Sequence, residues 1–247
     1  MEKTPRETRR IGALYDRTLG KKLPRTHFFA MLFLPVFDFL LYFFTSFLAK
    51  DAERGSLALP FDAEIPLVEE FIIVYFGCYL FWFGGLFFMA CTDSERFFGF
   101  FARTLVSLLI AFSFFTFLPL EMARPEVTEQ GFFADAVRFL YKIDEPYNLF
   151  PSLHCFFNWI IYIQIRGKKQ YPLALRLFSC LFSLAVFAST LFTRQHYFLD
   201  VVAGVFLAEV SVLILKTPLP RLCRRIFEDI DRFLFTKKTD LQGKSPE

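Results

Sequence analysis

The sequence lacks the features of a cysteine-based scaffold. Its five cysteines form no CxxC pair and show no short metal-ligand spacing, and four of them lie inside apolar runs. We therefore expect buried free thiols and neither a disulfide framework nor a zinc site. Glycine and proline, with 11 and 13 residues, are too scarce for a collagenous or low-complexity chain.

Long parts of the chain also lack charge. No Asp, Glu, Lys or Arg occurs in residues 71–92, 150–165 or 177–193, and residues 28–49 hold a single one, Asp38. Runs of this length approach the roughly 20 apolar residues that cross the hydrocarbon core of a bilayer. Segments that are apolar on every side offer no face to water, which excludes a soluble globular protein. The sequence thus predicts an integral membrane protein.

Six membrane spans can be drawn, and each is expected to be helical because only helices and closed barrels satisfy their backbone polar groups in lipid. Strict two-residue alternation is absent, which argues against a barrel. The fourth span is short for a full crossing. We predict an all-α fold, a six-helix membrane bundle, with spans at residues 28–49, 70–91, 97–119, 151–166, 173–192 and 197–215.

The predicted bundle, residues 28–215, is flanked by a basic segment at 1–27 and a tail at 216–247. Apolar residues at helical spacing within 221–235 predict an amphipathic helix in the membrane interface. With the amino terminus inside, the cytoplasmic segments hold 20 Lys and Arg residues and the external segments hold six. This bias predicts a multi-pass protein of the cell membrane with both termini in the cytoplasm. The basic residues flank spans and form no stripe, so no nucleic-acid partner is expected.

Two of the three histidines lie at the predicted external ends of apolar helices, within short polar motifs. His196 and Asp200 are four residues apart and share one face of a helix. A carboxylate bonded to one ring nitrogen fixes the tautomer and raises the basicity of the other nitrogen, as a nucleophilic histidine requires. The same pattern also fits an interfacial histidine with an aspartate cap on a transmembrane helix.

The second histidine belongs to Pro-Ser-Leu-His at residues 151–154, where the fourth span begins. Ser152 can offer a hydroxyl and a backbone N–H, and helix amino termini bind phosphate. The alternative is a cap followed by a packed histidine, His154. Arg124, the first residue of an Arg-Pro pair, lies just after the third span on the same predicted side of the membrane.

Antiparallel packing of the fourth and fifth spans can bring these motifs to one level. One cavity could then hold His154, His196, Asp200, Arg124 and Arg194. This reasoning predicts an active site at the external ends of spans three to six, facing outside the cell.

These residues resemble the type 2 phosphatidic acid phosphatase superfamily, which includes lipid phosphate phosphatases, polyprenyl diphosphate phosphatases and the vanadium haloperoxidases. The resemblance runs from about residue 97 to residue 215. It rests on Arg-Pro at 124–125, Pro-Ser-x-His at 151–154 and His-x-x-x-Asp at 196–200, in the family's order.

The chain departs from the family pattern at two positions. The family usually has a Lys where this chain has Phe117, and an Arg where it has Thr190. Arg194 is the candidate to replace the missing charge. The Thr-Arg-Gln-His-Tyr form at 193–197 is more similar to the branch that contains inositol phosphorylceramide synthases and related bacterial proteins.

The resemblance implies a membrane lipid phosphatase that hydrolyses a lipid phosphate or diphosphate through a phosphohistidine. His196 would be the nucleophile, Asp200 would orient its ring, and His154 would protonate the leaving oxygen. Phosphate oxygens would be held by Arg124, Arg194 and Ser152. The expected partners are a lipid phosphate substrate and the bilayer, with no metal and no other cofactor. A metal site built from the same His, His and Asp is the competing use of these side chains, but the neighbouring arginines would repel a cation.

Two other functions stay open at this point. A phosphotransferase of the same fold would move the phospho-headgroup to a lipid or polyol hydroxyl instead of water. A transporter or flippase without enzyme activity would use charges inside the membrane, for which Asp38, Arg103 and Glu209 are the candidates.

Overall fold

The computed structural model describes Tyr15, residues 18–48 and residues 51–235. Part of the predicted amino-terminal segment and residues 236–247 of the predicted tail lie outside the described residues. Within the described part the chain forms α1 (Arg25–Leu48), α2 (Ile72–Ala90), α3 (Ser94–Phe117), α4 (Phe132–Ile143), α5 (Leu153–Ile165), α6 (Leu173–Phe192), α7 (Phe198–Val210) and α8 (Leu219–Phe235). Short 3₁₀ helices occupy Pro60–Glu64, Glu69–Phe71 and Ser211–Lys216. The predicted all-α class is confirmed.

Five of these helices are long and apolar enough to cross a membrane. They are α1, α3 and α6, together with α2 and α7 when each is extended by the adjoining 3₁₀ helix. The fourth predicted span is α5, which has 13 residues. At 1.5 Å per residue it covers about 20 Å, less than a hydrocarbon core of roughly 30 Å. The protein is a membrane protein, and the sixth crossing stays a prediction.

Two groups of helices pack around α3 and α5. Helix α3 lies against α1 and α8. Its buried Phe98 and Phe101 have ring centroids 6.1 and 5.3 Å from that of Phe227 in α8. Helix α5 packs against α6, α7 and α2. This second group carries both histidines of the predicted site.

The helix predicted at 221–235 is present as α8. Cys223 and Phe227 are buried against the bundle, while Phe233 is exposed. An ion pair of 3.3 Å between Arg25 and Asp231 joins the first turn of α1 to this helix. A helix that is both charged and apolar on its free surface suits the membrane interface.

The chain between α3 and α5 contains a helix, α4, where the sequence predicts only a long connection. Helix α4 is amphipathic and too short for a span. Val137 and Leu140 on its apolar face are buried against Ile72 and Tyr75 of α2. Tyr75 also donates a hydrogen bond of 3.1 Å to Asp144, which follows the last residue of α4. Helix α4 is thereby held against α2, beside the site.

Two of the charges that a transporter would need are bonded within the protein. Arg103 donates to the Ser211 hydroxyl at 2.9 Å and to the Ala208 carbonyl at 3.2 Å. Glu209 accepts two hydrogen bonds of 2.5 Å from Arg166, and one of 2.7 Å from an indole N–H. These contacts are sufficient to explain Arg103 and Glu209 as structural residues.

Candidate active site

Helices α5 and α7 bring the two motif histidines together. His154 is the second residue of α5, and His196 lies in the turn between α6 and α7. Nδ1 of His154 is 3.3 Å from Nε2 of His196, although 42 positions separate the two residues. The ring centroids are 5.5 Å apart.

Asp200 lies behind His196 in the first turn of α7. Its Oδ2 is 3.5 Å from Nδ1 of His196, and both side chains are buried. The same oxygen accepts a hydrogen bond of 2.8 Å from the Tyr197 backbone N–H. This second bond fixes the carboxylate, which can then orient the His196 ring. At 3.5 Å the pair is an ion-pair contact that must shorten to become a hydrogen bond.

The contacts around the two rings favour one arrangement of protons. An acceptor-only carboxylate at Asp200 favours a proton on Nδ1 of His196, which leaves a lone pair on Nε2. Nδ1 of His154 can then donate to this nitrogen. The Tyr79 hydroxyl, 3.3 Å from Nε2 of His154, donates to the other side of that ring. In this arrangement Nε2 of His196 carries a lone pair and can act as the nucleophile once His154 moves away from it.

Aromatic side chains of α2 surround His154. Its ring centroid lies 4.7 Å from that of Tyr75, 5.9 Å from that of Tyr79 and 5.3 Å from that of Trp82. This packing restricts the ring to a narrow range of orientations. The sequence gives no signal for these three residues, because they lie in an apolar run where aromatic side chains are common.

Arg124 reaches the site through a network of carbonyl groups. It donates hydrogen bonds of 2.6 Å to the Asp144 carbonyl and 2.7 Å to the side-chain oxygen of Gln195. Its guanidinium also lies 4.7 Å from the centre of the Tyr141 ring. Burial lowers the pKa of the Arg124 guanidinium from its ordinary value, and the nearby Asp144 carboxylate opposes this shift. The network holds the Arg124 guanidinium beside Gln195, the residue that precedes His196.

Arg194 forms the carboxyl-terminal cap of α6. Its φ of 54° is left-handed. The Arg194 and Gln195 N–H groups donate to the carbonyls of Leu191 and Thr190, which is the hydrogen-bond pattern of a Schellman motif. The Arg194 guanidinium donates to the carbonyl of Asp62 at 2.5 Å. The structure therefore directs this side chain to backbone oxygens.

Ser152 is the N-cap of α5. Its hydroxyl accepts a hydrogen bond of 3.3 Å from the Cys155 N–H. Its own N–H donates to the Asp200 carbonyl at 3.0 Å. Both groups that the sequence suggested for phosphate are thus bonded to the protein, and the second bond joins the start of α5 to the start of α7.

Asp62 is a further residue of the site that has no sequence signal. It is buried and its Oδ1 accepts a hydrogen bond of 3.0 Å from the Phe198 N–H, at the amino terminus of α7. Because Asp62 is more than a hundred residues from the helix that it caps, only the fold reveals this role. Gln195 could have been found from the motif, since it stands between Arg194 and His196.

A cavity of about 440 Å³ opens onto the histidine pair. His154, His196 and Gln195 form part of its wall, while most of the remaining lining is apolar and comes from α1, α2 and α3. Within the described residues, no cluster of three or more His, Cys, Asp or Glu side chains could hold a metal ion.

The comparison with protein families matches the same region. A sequence model described as the PAP2 superfamily covers residues 55–214, more than half of the chain. The chain belongs to the PAP2 superfamily. The matched region includes all the residues that the sequence nominated for the site, His154, His196, Asp200, Arg124, Arg194 and Ser152. No curated protein and no solved structure matches the chain. Membership of the PAP2 superfamily supports a phosphatase-type or phosphotransferase-type function.

The two departures from the usual PAP2 pattern have different surroundings. Phe117, at the end of α3, is 85% exposed and points away from the core. Thr190 is buried, and its hydroxyl donates to the Phe187 carbonyl at 2.8 Å. Neither position supplies a cation to the histidines.

The close approach of α5 and α7 in this PAP2 protein depends on Gly204. A Cβ at this position would overlap the Ser152 carbonyl oxygen and lie 3.2 Å from Cβ of Cys155. The overlapping atom belongs to the backbone, so one helix must move. His154 is in α5 and His196 directly precedes α7, so the distance between them depends on this contact at Gly204.

We expect Gly204→Ala to lower the free energy of unfolding by about 1–3 kcal/mol, because an added methyl group overpacks a filled contact. We also expect a tenfold or greater loss of turnover, since small displacements of reacting groups are costly. Thermal unfolding in detergent and phosphate release measure the two effects. Gly84→Ala is the control, because a Cβ there meets nothing within 4 Å. Equal behaviour of the two variants would contradict the role of Gly204.

Proposed function

We propose that this protein is a membrane phosphatase that hydrolyses a lipid phosphate or diphosphate through a phosphohistidine. The observation that carries the proposal is the close pair of His154 and His196, backed by the buried Asp200, beside a largely apolar cavity. A hydrocarbon chain suits the apolar walls, and a phosphate headgroup suits the histidines. Such a cavity favours a lipid substrate over a water-soluble phosphate ester.

In this scheme Nε2 of His196 attacks phosphorus, and the bond to the leaving oxygen breaks. His154 enters this step doubly protonated, with its second proton taken from solvent or from a monoprotonated substrate phosphate, and gives one proton to that oxygen, so that a neutral alcohol or a phosphate departs. His154 then takes a proton from water, and the resulting hydroxide cleaves the phosphohistidine to release phosphate. Asp200 stabilises the cationic His196 ring. Nδ1 of His154 and Nε2 of His196 are 3.3 Å apart, and they must separate to admit the phosphoryl group.

Arg124, Arg194 and Ser152 are the proposed phosphate ligands, and their present contacts rank them. Arg124 is the first candidate because it donates to Gln195, which precedes His196 and lines the cavity with it. All three would have to exchange backbone partners for phosphate oxygens. Cationic donors at these oxygens stabilise the charge that develops in the transition state, so the scheme needs no metal or other cofactor.

A phosphotransferase shares the first half of this reaction, and the acceptor of the second half distinguishes the two. Purified protein in detergent is offered a panel of lipid phosphates, with and without lipid or polyol alcohols, and both free phosphate and new phosphoesters are measured. A phosphatase releases inorganic phosphate at the same rate with and without alcohols. Formation of a new phosphoester as the main product would instead make the protein a transferase.

We expect activity to survive EDTA and to be inhibited by vanadate, which mimics phosphate in its transition state.

The proposed site faces outside the cell, and both termini lie in the cytoplasm. We expect a membrane-impermeant thiol reagent to label a cysteine at Glu129 in intact cells, in a variant that lacks the native cysteines. A cysteine at Lys169, in the exposed loop between α5 and α6, should react only after the cells are permeabilised. These two positions flank α5, so they test whether this short helix crosses the membrane. Labelling of both in intact cells would show that α5 does not cross, and labelling of position 169 alone would invert the topology.

A further inference from the structure

One carboxylate oxygen in the wall of the cavity has no hydrogen-bond partner among the described residues. Asp38 lies in the middle of α1 and lines the same cavity as His154 and His196. Its Oδ1 is buried and has no hydrogen bond within the described part of the chain. Arg103 and Glu209, also in membrane segments, both have partners in the protein. Asp38 therefore has an acceptor that a ligand can satisfy.

A donor in the same wall is also unsatisfied. The indole Nε1 of Trp82 is buried and has no hydrogen-bond partner among the described residues. Trp82 lines the cavity, and its ring centroid is 5.3 Å from that of His154. Buried polar groups are normally paired, and an unpaired one costs stability. An unpaired acceptor and an unpaired donor in the wall of one cavity indicate a ligand that pairs with both.

The two groups lie at similar depth. Asp38 is ten residues before the end of α1 at Leu48, and Trp82 is ten residues after the start of α2 at Ile72. Both helix ends belong to the predicted external side, so each residue lies about 15 Å along its helix from that end. Because Trp82 contacts His154, Asp38 and Trp82 lie at about the same depth in the membrane as the histidine pair.

We propose that the substrate lipid carries a free hydroxyl next to its phosphate ester, and that Asp38 and Trp82 recognise this hydroxyl. The hydroxyl donates a hydrogen bond to Oδ1 of Asp38, and its oxygen accepts a hydrogen bond from the Trp82 indole N–H. One hydroxyl supplies both the donor and the acceptor. An ester oxygen would leave Asp38 unpaired, and a plain alkyl chain would leave both residues unpaired. This inference rests on the proposed function and specifies its substrate class.

The test uses two synthetic lipids, dodecyl phosphate and 2-hydroxydodecyl phosphate, which differ by one hydroxyl. We expect kcat/KM for phosphate release to be at least about tenfold higher for the hydroxylated lipid, because a site built to pair a hydroxyl rejects the analogue that lacks it. Asp38→Leu and Trp82→Phe should each bring the ratio of the two rates close to one, through loss on the hydroxylated lipid. Asp38→Asn keeps an acceptor oxygen and should retain part of the preference.

Ser113→Ala is the matched control, because Ser113 is exposed on α3 and its hydroxyl donates to the Leu109 carbonyl. This variant should keep the preference of the natural protein. Equal rates on the two lipids, or a preference that survives Asp38→Leu, would overturn the inference. So would a stronger preference for 2-aminododecyl phosphate that only Asp38→Leu removes, since an ammonium group pairs with Asp38 and not with Trp82.

A binding measurement separates this inference from the proposed function. The affinity of His196→Ala for both lipids is measured in mixed micelles, by displacement of a fluorescent lipid. We expect about tenfold tighter binding of the hydroxylated lipid, and loss of this preference when Asp38→Leu is added. If the natural protein released no phosphate from either lipid, hydrolysis would fail, while the binding preference would still decide whether Asp38 recognises a hydroxyl. Equal binding of the two lipids would overturn the inference even if both were hydrolysed.

Discussion

The variant His196→Ala is expected to abolish turnover and to leave a folded protein. In the proposed mechanism Nε2 of His196 forms the phosphoenzyme, and alanine has no nucleophilic atom that could replace it. The backbone N–H of residue 196, which donates to the Thr190 carbonyl, is unchanged. We expect a loss of at least about a thousandfold in kcat, as for removal of other catalytic nucleophiles. Phosphate release from a lipid phosphate measures the rate, and thermal unfolding in detergent checks the fold.

The intermediate itself provides a second readout. Rapid quenching of the natural protein with a substrate labelled at phosphorus should trap an acid-labile phosphohistidine, and His196→Ala should trap none. Asp200→Asn should lower the rate by roughly 10²–10⁴, because an amide oxygen can still accept the Tyr197 N–H but does not stabilise a cationic ring. His27 is the control, since it is bonded to the Ala90 carbonyl and the Ser94 hydroxyl away from the pair. His27→Gln should keep full activity per folded molecule. Near-normal activity of His196→Ala would end the nucleophile hypothesis.

The variant His154→Ala is expected to show a loss that depends on the leaving group. A general acid matters most when the departing oxygen is strongly basic. We therefore expect a loss of about 10²–10⁴ in the first turnover of an alkyl phosphate, and a much smaller loss for an activated aryl phosphate or a diphosphate. Formation of the intermediate must be measured in a single turnover, because His154 also activates water in the second step.

Tyr79→Phe is the companion variant for His154. It removes the hydroxyl that lies 3.3 Å from Nε2 of His154 and keeps the aromatic packing. Because Tyr79 acts through His154 as a positioning residue, its loss should be smaller and should follow the same dependence on the leaving group. Equal losses of His154→Ala on alkyl and aryl substrates would contradict the role of His154 as a general acid.

The sequence by itself determined the membrane class, the helical fold and the region of the site. Apolar length is a local property, so the positions of α1, α2, α3, α6 and α7 could be predicted to within a few residues. His154 and His196 stood out for a related reason, since ionisable groups are costly in such runs. Helix α4 was missed although its apolar residues recur at helical spacing, and what the sequence alone does not give is their contact with Ile72 and Tyr75 of α2.

Only the tertiary structure decided which atoms face one another. The contact between Nδ1 of His154 and Nε2 of His196 depends on how closely α5 approaches α7, and Gly204 sets that approach. Hydrogen bonds across large sequence separations, such as that from Arg194 to the Asp62 carbonyl, leave no periodic pattern in a single sequence. The sequence could therefore nominate Arg124, Arg194 and the histidines by residue type and position. It could not specify their partners, because partners are fixed by helix packing and each side chain has several hydrogen-bonding options until the helices are in place.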